Sequence, residues 1–486
     1  MRLAFVSLVL CSCLVYSTIG DQLPLCGDNC SCIFVDNKES AKVTCTKNVQ
    51  ILVTNPTTWI NPDTNSSYQY LEITMTNQNF IELNFTFPAN DLTYLNLAGN
   101  DIYRIKDSVF MNLQKMKVLI LSGNDLELLS PHAFKGLYLP EGYEPLRALR
   151  ELRLDHNRLH TLNQDIFEHT TDLEILDLSY NPFKVLDPHT VNAIDSLPML
   201  KELYLSYTEI TTLPDLILNA PKFLSLLDLS GNPINTVPKT LVNSHNLTTL
   251  YFNNTAFVNI TVDNGFPDIP TVKVLHLCNL QNLERIEKGS LAGLTGLEEL
   301  YVKDNIKLTY LDPFALPKTN EKSGGAVWPL LKKLNLANNK LAYLDSDFIA
   351  RWDSLTELDI LDNPWTCECE NQWLVEDLTP LYLKIDNGKA SHVKCGAPVE
   401  MVGFTFVELY DRQYKMRCLD LYGAQPEKDA ALLVGVLAGV LIAIPVILFG
   451  IYAYQRRWFG IFNMCDNSPA AYSRRFYSTT SSDEYI

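Results

Sequence analysis

Leu149-Arg-Glu-Leu152-Arg-Leu154-Asp-His-Asn157-Arg-Leu159 is the stretch that decides the fold. Its leucines alternate as they do on a strand, and an asparagine closes the pattern two residues before the last leucine. The same L-x-x-L-x-L-x-x-N-x-L pattern stands at Leu92-Thr-Tyr-Leu95-Asn-Leu97-Ala-Gly-Asn100-Asp-Ile102, and again around Asn181, Asn232 and Asn339. The ninth position is held in turn by Gln78, Asn100, Asn124, Asn157, Asn181, Thr208, Asn232, Thr255, Leu280, Asn305, Asn339 and Asn363. About twelve units in register mark a repeat array.

The physical sense of the pattern is a solenoid. Each unit supplies one short strand whose two leucines point inward while the residue between them points out. A single coil cannot bury its leucines alone, so each packs on the coils before and after it. The ninth-position amide sits where the strand turns, and can satisfy backbone groups of neighbouring coils. Thr208 and Thr255 offer only a hydroxyl and Leu280 nothing, which predicts altered curvature near units eight and nine. Two steps are long, and their extra residues (138–145 and about 317–329) carry Pro, Gly and charge, so both are read as surface loops.

Cysteines lie where the stack would otherwise end on exposed core. Cys26-x3-Cys30-x-Cys32-x12-Cys45 precedes the array, and Asn363-Pro-Trp365-x-Cys367-x-Cys369, Cys395 and Cys418 follow it. Spacing alone leaves connectivity open, and an oxidising compartment favours disulfides over a zinc site. With these clusters the chain resembles the extracellular leucine-rich-repeat proteins, over residues 22–420. The resemblance implies an α/β solenoid, a curved horseshoe with a parallel concave β-sheet and a disulfide cap at each end. It also implies the pairs Cys26–Cys32, Cys30–Cys45, Cys367–Cys395 and Cys369–Cys418, and leaves Cys278 unpaired.

Targeting signals agree with that compartment. Arg2, the apolar run Leu3–Val15 and Thr18-Ile19-Gly20 read as a signal peptide. Ala430–Tyr454 is uncharged and long enough to span a ~30 Å hydrocarbon core. Arg456 and Arg457 follow it, which predicts an outside N-terminus and a plasma-membrane protein of single-pass type I topology. The expected organisation is signal peptide 1–20, N-terminal cap 21–67, repeats 68–365, C-terminal cap 366–420, linker 421–429, transmembrane helix 430–454 and cytoplasmic tail 455–486. The tail is too short for a kinase or Toll-type signalling domain. It carries a palmitoylation candidate, Cys465, and an apolar C-terminus, Glu484-Tyr485-Ile486, of the kind that cytoplasmic adaptors capture.

The net charge of -17, with four of the arginines in the tail, makes nucleic acid an improbable partner for the outer segment. Sequons at Asn65, Asn84, Asn246, Asn253 and Asn259 predict glycosylation, with Asn29 a sixth match whose middle residue is Cys30. Three of them fall in units seven to nine, which makes that sector a poor docking face.

The outward strand residues form a ribbon of tyrosines, acids and a few bases. Tyr94, Asn96, Arg153, Asp155, Asp177, Tyr180, Tyr204 and Tyr207 are the expected contacts with a protein partner, in units two to six. An ordinary solvated face is the alternative. Asp155, Asp177 and Asp228 on neighbouring strands raise acid–base chemistry, but an open sheet offers little desolvation to separate their pKa values. His156-x3-His160 lacks an H-E-x-x-H context, and no G-x-S-x-G, P-loop or kinase signature is present. The expectation is a binding protein without cofactor: an adhesion molecule or recognition receptor, free to form homo- or hetero-dimers. The alternatives are a ligand-binding co-receptor in immune or growth-factor signalling and a membrane-tethered regulator of an extracellular enzyme or matrix component.

Overall fold

In a computed structural model the described residues are 23–35, 40–319, 325–417 and 426–456, with side chains described from 432 in the last segment. They fall into two compact units, residues 1–414 and 415–486.

The first unit is a solenoid built on a 14-stranded sheet. Twelve of its strands are the L-x-L cores of the twelve counted units, from Gln69–Thr74 to Glu357–Asp359. They pair in parallel with the register the pattern demands. Leu152 stands opposite Leu119 and Leu176, and Arg153 opposite Ile120 and Asp177. The central leucines from Leu95 to Leu358 are at most 1% exposed. One fully buried Leu is worth about 1.5–3 kcal/mol, so a column of them is the main cohesive term along the array.

The asparagine ladder works as its chemistry requires. Asn181 Nδ2 donates to the carbonyls of Leu154 and Leu178, both at 2.9 Å, and Oδ1 accepts from Leu159 N–H. One amide thus ties its own coil to the preceding one. Thr255 manages only one local bond, to Phe252 O at 2.8 Å. Despite this gap the concave register runs unshifted from Thr249–Tyr251 through Val274–His276 to Glu299–Tyr301. On the other side of the coils Asn259–Ile260, Arg285–Ile286 and Tyr310–Leu311 form a small parallel sheet, as Glu82–Leu83 and Arg104–Ile105 do nearer the N-terminus.

Both caps extend the repeat rather than merely covering it. Ser40–Cys45 pairs in parallel with Gln69–Thr74 and antiparallel with Cys30–Val35, adding a thirteenth turn. Disulfides Cys26–Cys32 and Cys30–Cys45 staple it, and Cys367–Cys395 staples the far end. Cys369 is also disulfide-bonded, while its expected partner Cys418 lies outside the described residues. Past Asn363 the ladder gains one more rung, Asn371, whose amide donates to Ala342 O and Thr366 O. Cys278 is free and buried.

The two insertions differ from their reading as loops. Leu137–Leu139 and Gly142–Glu144 form an antiparallel hairpin with Tyr138 opposite Tyr143. Lys318–Thr319 and Ala326–Val327 form a second. Pairing lets these segments satisfy backbone groups of each other that a bare loop would leave to water.

In the second unit, Pro426–Gln455 is a helix whose segment Leu432–Gln455 is long and apolar enough to cross a membrane. The signal-peptide reading, Cys465 and the tail fall outside the described residues.

Candidate functional site

The site grows from the turn that ends each strand. The eighth position of every unit has positive φ: Asn77, Gly99, Gly123, His156, Tyr180, Tyr207, Gly231, Asn254, Asn279, Asp304, Asn338 and Asp362. Left-handed backbone suits Gly, and Asn or Asp after it, and nine of the twelve positions obey. The three that do not are consecutive. His156, Tyr180 and Tyr207 hold φ of 53°, 55° and 54° with bulky side chains, and such outliers concentrate at functional sites.

Their rings form a column. His156 and Tyr180 stack at 4.1 Å between centroids and 14° between planes, and Tyr180 and Tyr207 at 4.5 Å and 12°. Adjacent strands lie ~4.8 Å apart, so the parallel register itself sets this spacing. The column is pinned at both ends. His156 Nδ1 lies 2.9 Å from Asp155 Oδ2, and Asp155 Oδ1 accepts from Ser122 Oγ. Tyr207 Oη accepts from Asn254 Nδ2 at 2.8 Å. Tyr180 and Tyr207 nevertheless remain 43% and 38% exposed, more than rings serving only the core would be.

Beside the column, on the concave strands, Arg153 Nε meets Glu151 at 2.5 Å and its Nη1 lies 3.8 Å from Asp177. Asp177 Oδ1 and Asp228 Oδ1 accept from the N–H groups of Ser179 and Ser230 at 3.0 and 2.9 Å, closing their own strands. Burial pushes both carboxyls above the usual carboxylate range. Tyr204 donates to Glu202 at 2.7 Å, and burial together with that carboxylate raises its phenol.

Of the expected contacts, Arg153, Asp155, Asp177, Tyr180, Tyr204 and Tyr207 therefore come together on three successive coils. Tyr94 and Asn96 do not join them, because Val118 and Ile120 of the intervening coil are apolar. Asn96 Oδ1 accepts from Ala98 N–H, a turn-closing role like that of Asp177. His156, the first ring of the column, is the member the expected contact set omits. The period was the available signal, since three bulky residues break a Gly/Asn/Asp column. A second column, Tyr251–His276–Tyr301, stacks at 4.4 Å in both steps, and its first two rings lie in the sector expected to be shielded by glycans. Burial lowers the His276 pKa. Asn253, whose sequon suggested that shield, uses its Oδ1 to accept from Cys278 N–H. His160 is exposed, and among the described residues no group of three metal-ligating side chains gathers.

Comparison with known proteins agrees with the architecture. The family model described as leucine rich repeat matches residues 90–139 and 147–210, leaving out the second strand of the first hairpin. Mouse Tsukushi is 30% identical over 189 residues, 38% of this chain and 50% of that protein. Chaoptin of Drosophila melanogaster is 35% identical over 136 residues, 25% of this chain and 10% of that protein. Mouse Toll-like receptor 7 is 32% identical over 146 residues, 29% and 13% of the two chains. The chain thus spans half or less of the length of these relatives. Among solved structures, a chain of an octameric complex of Latrophilin 3, Unc5D and FLRT2 superposes with TM-score 0.48 at 20% identity, covering 77% of this chain and 95% of that one. The LRIM1/APL1C complex gives 0.46 at 20%, covering 84% and 76%.

Proposed function

Taking as premise that the chain belongs to the extracellular leucine-rich-repeat proteins, we propose that it is a cell-surface adhesion molecule or recognition receptor whose concave face binds a protein partner. The anchor is residues 430–454, with the solenoid outside and the tail inside, where Cys465 and the C-terminus are candidates for lipidation and an adaptor.

The observation that carries this reading is the His156–Tyr180–Tyr207 column. Three bulky rings hold backbone that the other nine units give to Gly, Asn or Asp, and they stay exposed. A buried core gains nothing from them there. Aromatic contact area of low conformational entropy, next to polar groups already fixed by hydrogen bonds, suits protein recognition. The desolvated carboxyls of Asp177 and Asp228 each accept from the serine N–H of their own strand, a turn-closing role that supports binding over catalysis.

The test is to display the full chain on otherwise non-adherent cells and score their aggregation with themselves and with a second population. Alongside it, labelled soluble and cell-surface proteins are screened for capture by the displayed chain. Adhesion predicts aggregation that Arg153→Ala and Tyr204→Ala reduce. Capture of a soluble ligand without aggregation moves the role to co-receptor, and capture of an extracellular enzyme or matrix component moves it to tethered regulator. A partner indifferent to both substitutions places the contact elsewhere.

A further inference from the structure

The aromatic column stops abruptly at one end, and the stop has a shape. Side chains of the eighth-position column lean toward the following coil. A Cβ on Gly99 would come within 2.5 Å of the Asn77 amide, and one on Gly231 within 2.4 Å of the Tyr207 ring. Gly123 is different. A Cβ there would meet nothing closer than the Gly99 backbone, at 3.6 Å. Gly99 and Gly123 bring no side chain of their own, so the column is interrupted, and the empty place next to the His156 ring is the one a Gly123 side chain would fill. The His156 ring lies nearly parallel to Tyr180 on one side, so its other face looks along the column axis into that place. Beside it is the Asp155 carboxylate, held by Ser122 of Gly123's own coil.

Charge identifies the occupant. Concave positions of units four to seven carry Glu151, Asp155, Asp177, Glu202 and Asp228 against the single cation Arg153, which is already paired to Glu151 and Asp177. The place asks for a planar group because it continues a ring stack, and for a cation because the Asp155 carboxylate lies beside it and the concave acids of units four to seven follow on. Arginine meets both demands, with a guanidinium that stacks on aromatic faces and bonds carboxylates in its own plane. Lysine meets only the second.

We infer that the Gly123 place is a pocket for one arginine side chain of the protein partner, stacked on the open face of His156 and hydrogen-bonded toward Asp155. This rests on the concave-face reading above and adds the partner's chemistry to it.

The experiment uses the full chain in nanodiscs of uncharged phosphatidylcholine, so that cationic probes do not bind the membrane. It is titrated with capped octa-arginine and octa-lysine peptides of equal charge. Octa-arginine should bind at least about 5-fold more tightly than octa-lysine, the expected margin for stacking beyond charge. Gly123→Asn fills the place while keeping left-handed backbone, as Asn77, Asn254 and Asn338 already do in this chain. It should bring the ratio to about one with an unchanged melting temperature, and His156→Asn should do the same. A ratio near one in the native chain, or one that survives both substitutions, overturns the inference. Separately, a protein partner whose binding is unmoved by Arg153→Ala and Tyr204→Ala overturns the concave reading beneath it, whatever the peptides do.

Discussion

The ring of Tyr207 lies across the backbone of Gly231, so close that a Cβ added to Gly231 would fall 2.4 Å from it. Gly231 also has φ of +70°, so two independent constraints demand glycine at one position. Tyr207 can reach Asn254 two coils away only because the coil between them has no side chain there.

Gly231→Ala should therefore cost about 2 kcal/mol or more, combining left-handed strain with displacement of the ring. Gly123→Asn, at φ +64° with open space, should be nearly neutral. Thermal melts of the two variants give the comparison, and equal destabilisation would refute the stated contact.

The ladder predicts unequal losses along one array. Asn181 is 1% exposed, and its removal strands Leu159 N–H and the Leu178 carbonyl and takes from Leu154 O the second of its two amide donors, leaving Asn157. Asn181→Ala should cost about 2–4 kcal/mol, against roughly 1 kcal/mol for Thr255→Ala, which loses one local bond. Hydrogen exchange should show protection falling around Leu154–Leu159 in the first variant and little change in the second.

Asp228 links stability to pH. Its folded pKa is raised, so the ionised form is penalised at neutral pH and the penalty is relieved as pH falls through that raised value. Asp228→Asn keeps an acceptor for Ser230 N–H. It should melt a few degrees higher than the native chain at pH 7 and show no advantage below pH 3.8, the ordinary carboxyl value. If the column serves a cationic partner, the same variant should bind it less well.

His276 acts with the opposite sign. Burial lowers its pKa from the ordinary 6.5, with Glu299 working against the shift and Lys303 with it. Its contribution is present in full above pH 6.5 and is lost as pH falls from there through the folded value. His276→Phe retains a ring between Tyr251 and Tyr301 and should remove this part of the pH dependence. Melts between pH 7.5 and 5.0 check it.

Sequon occupancy should divide by exposure. Asn65, Asn84 and Asn246 are exposed. Asn253 is half-buried with its amide oxygen engaged, and the amide oxygen of Asn259 is buried without a partner. Glycopeptide mass spectrometry should find glycans on the first three, with Asn253 and Asn259 largely bare. A heavily occupied Asn253 would restore the view that glycans shield the middle of the concave face.

Periodicity alone was enough for twelve strands, their register and the outward residue of each, because a parallel stack has one repeating geometry and each L-x-L core must face inward. The N-terminal cysteine pairs and Cys367–Cys395 followed from family resemblance, and a helix long and apolar enough to cross a membrane from length and composition. Tertiary structure decided what the repeat leaves free. It paired Leu137–Leu139 with Gly142–Glu144 and Lys318–Thr319 with Ala326–Val327 in the two insertions, since such pairing depends on backbone satisfaction that composition does not encode. It split Tyr94 and Asn96 from the other contacts across an apolar coil. It also turned His156, Tyr180 and Tyr207 into one column beside an empty place at Gly123. Those residues are 24 or more positions apart in the chain, and only stacked coils bring their rings within 4–5 Å of each other.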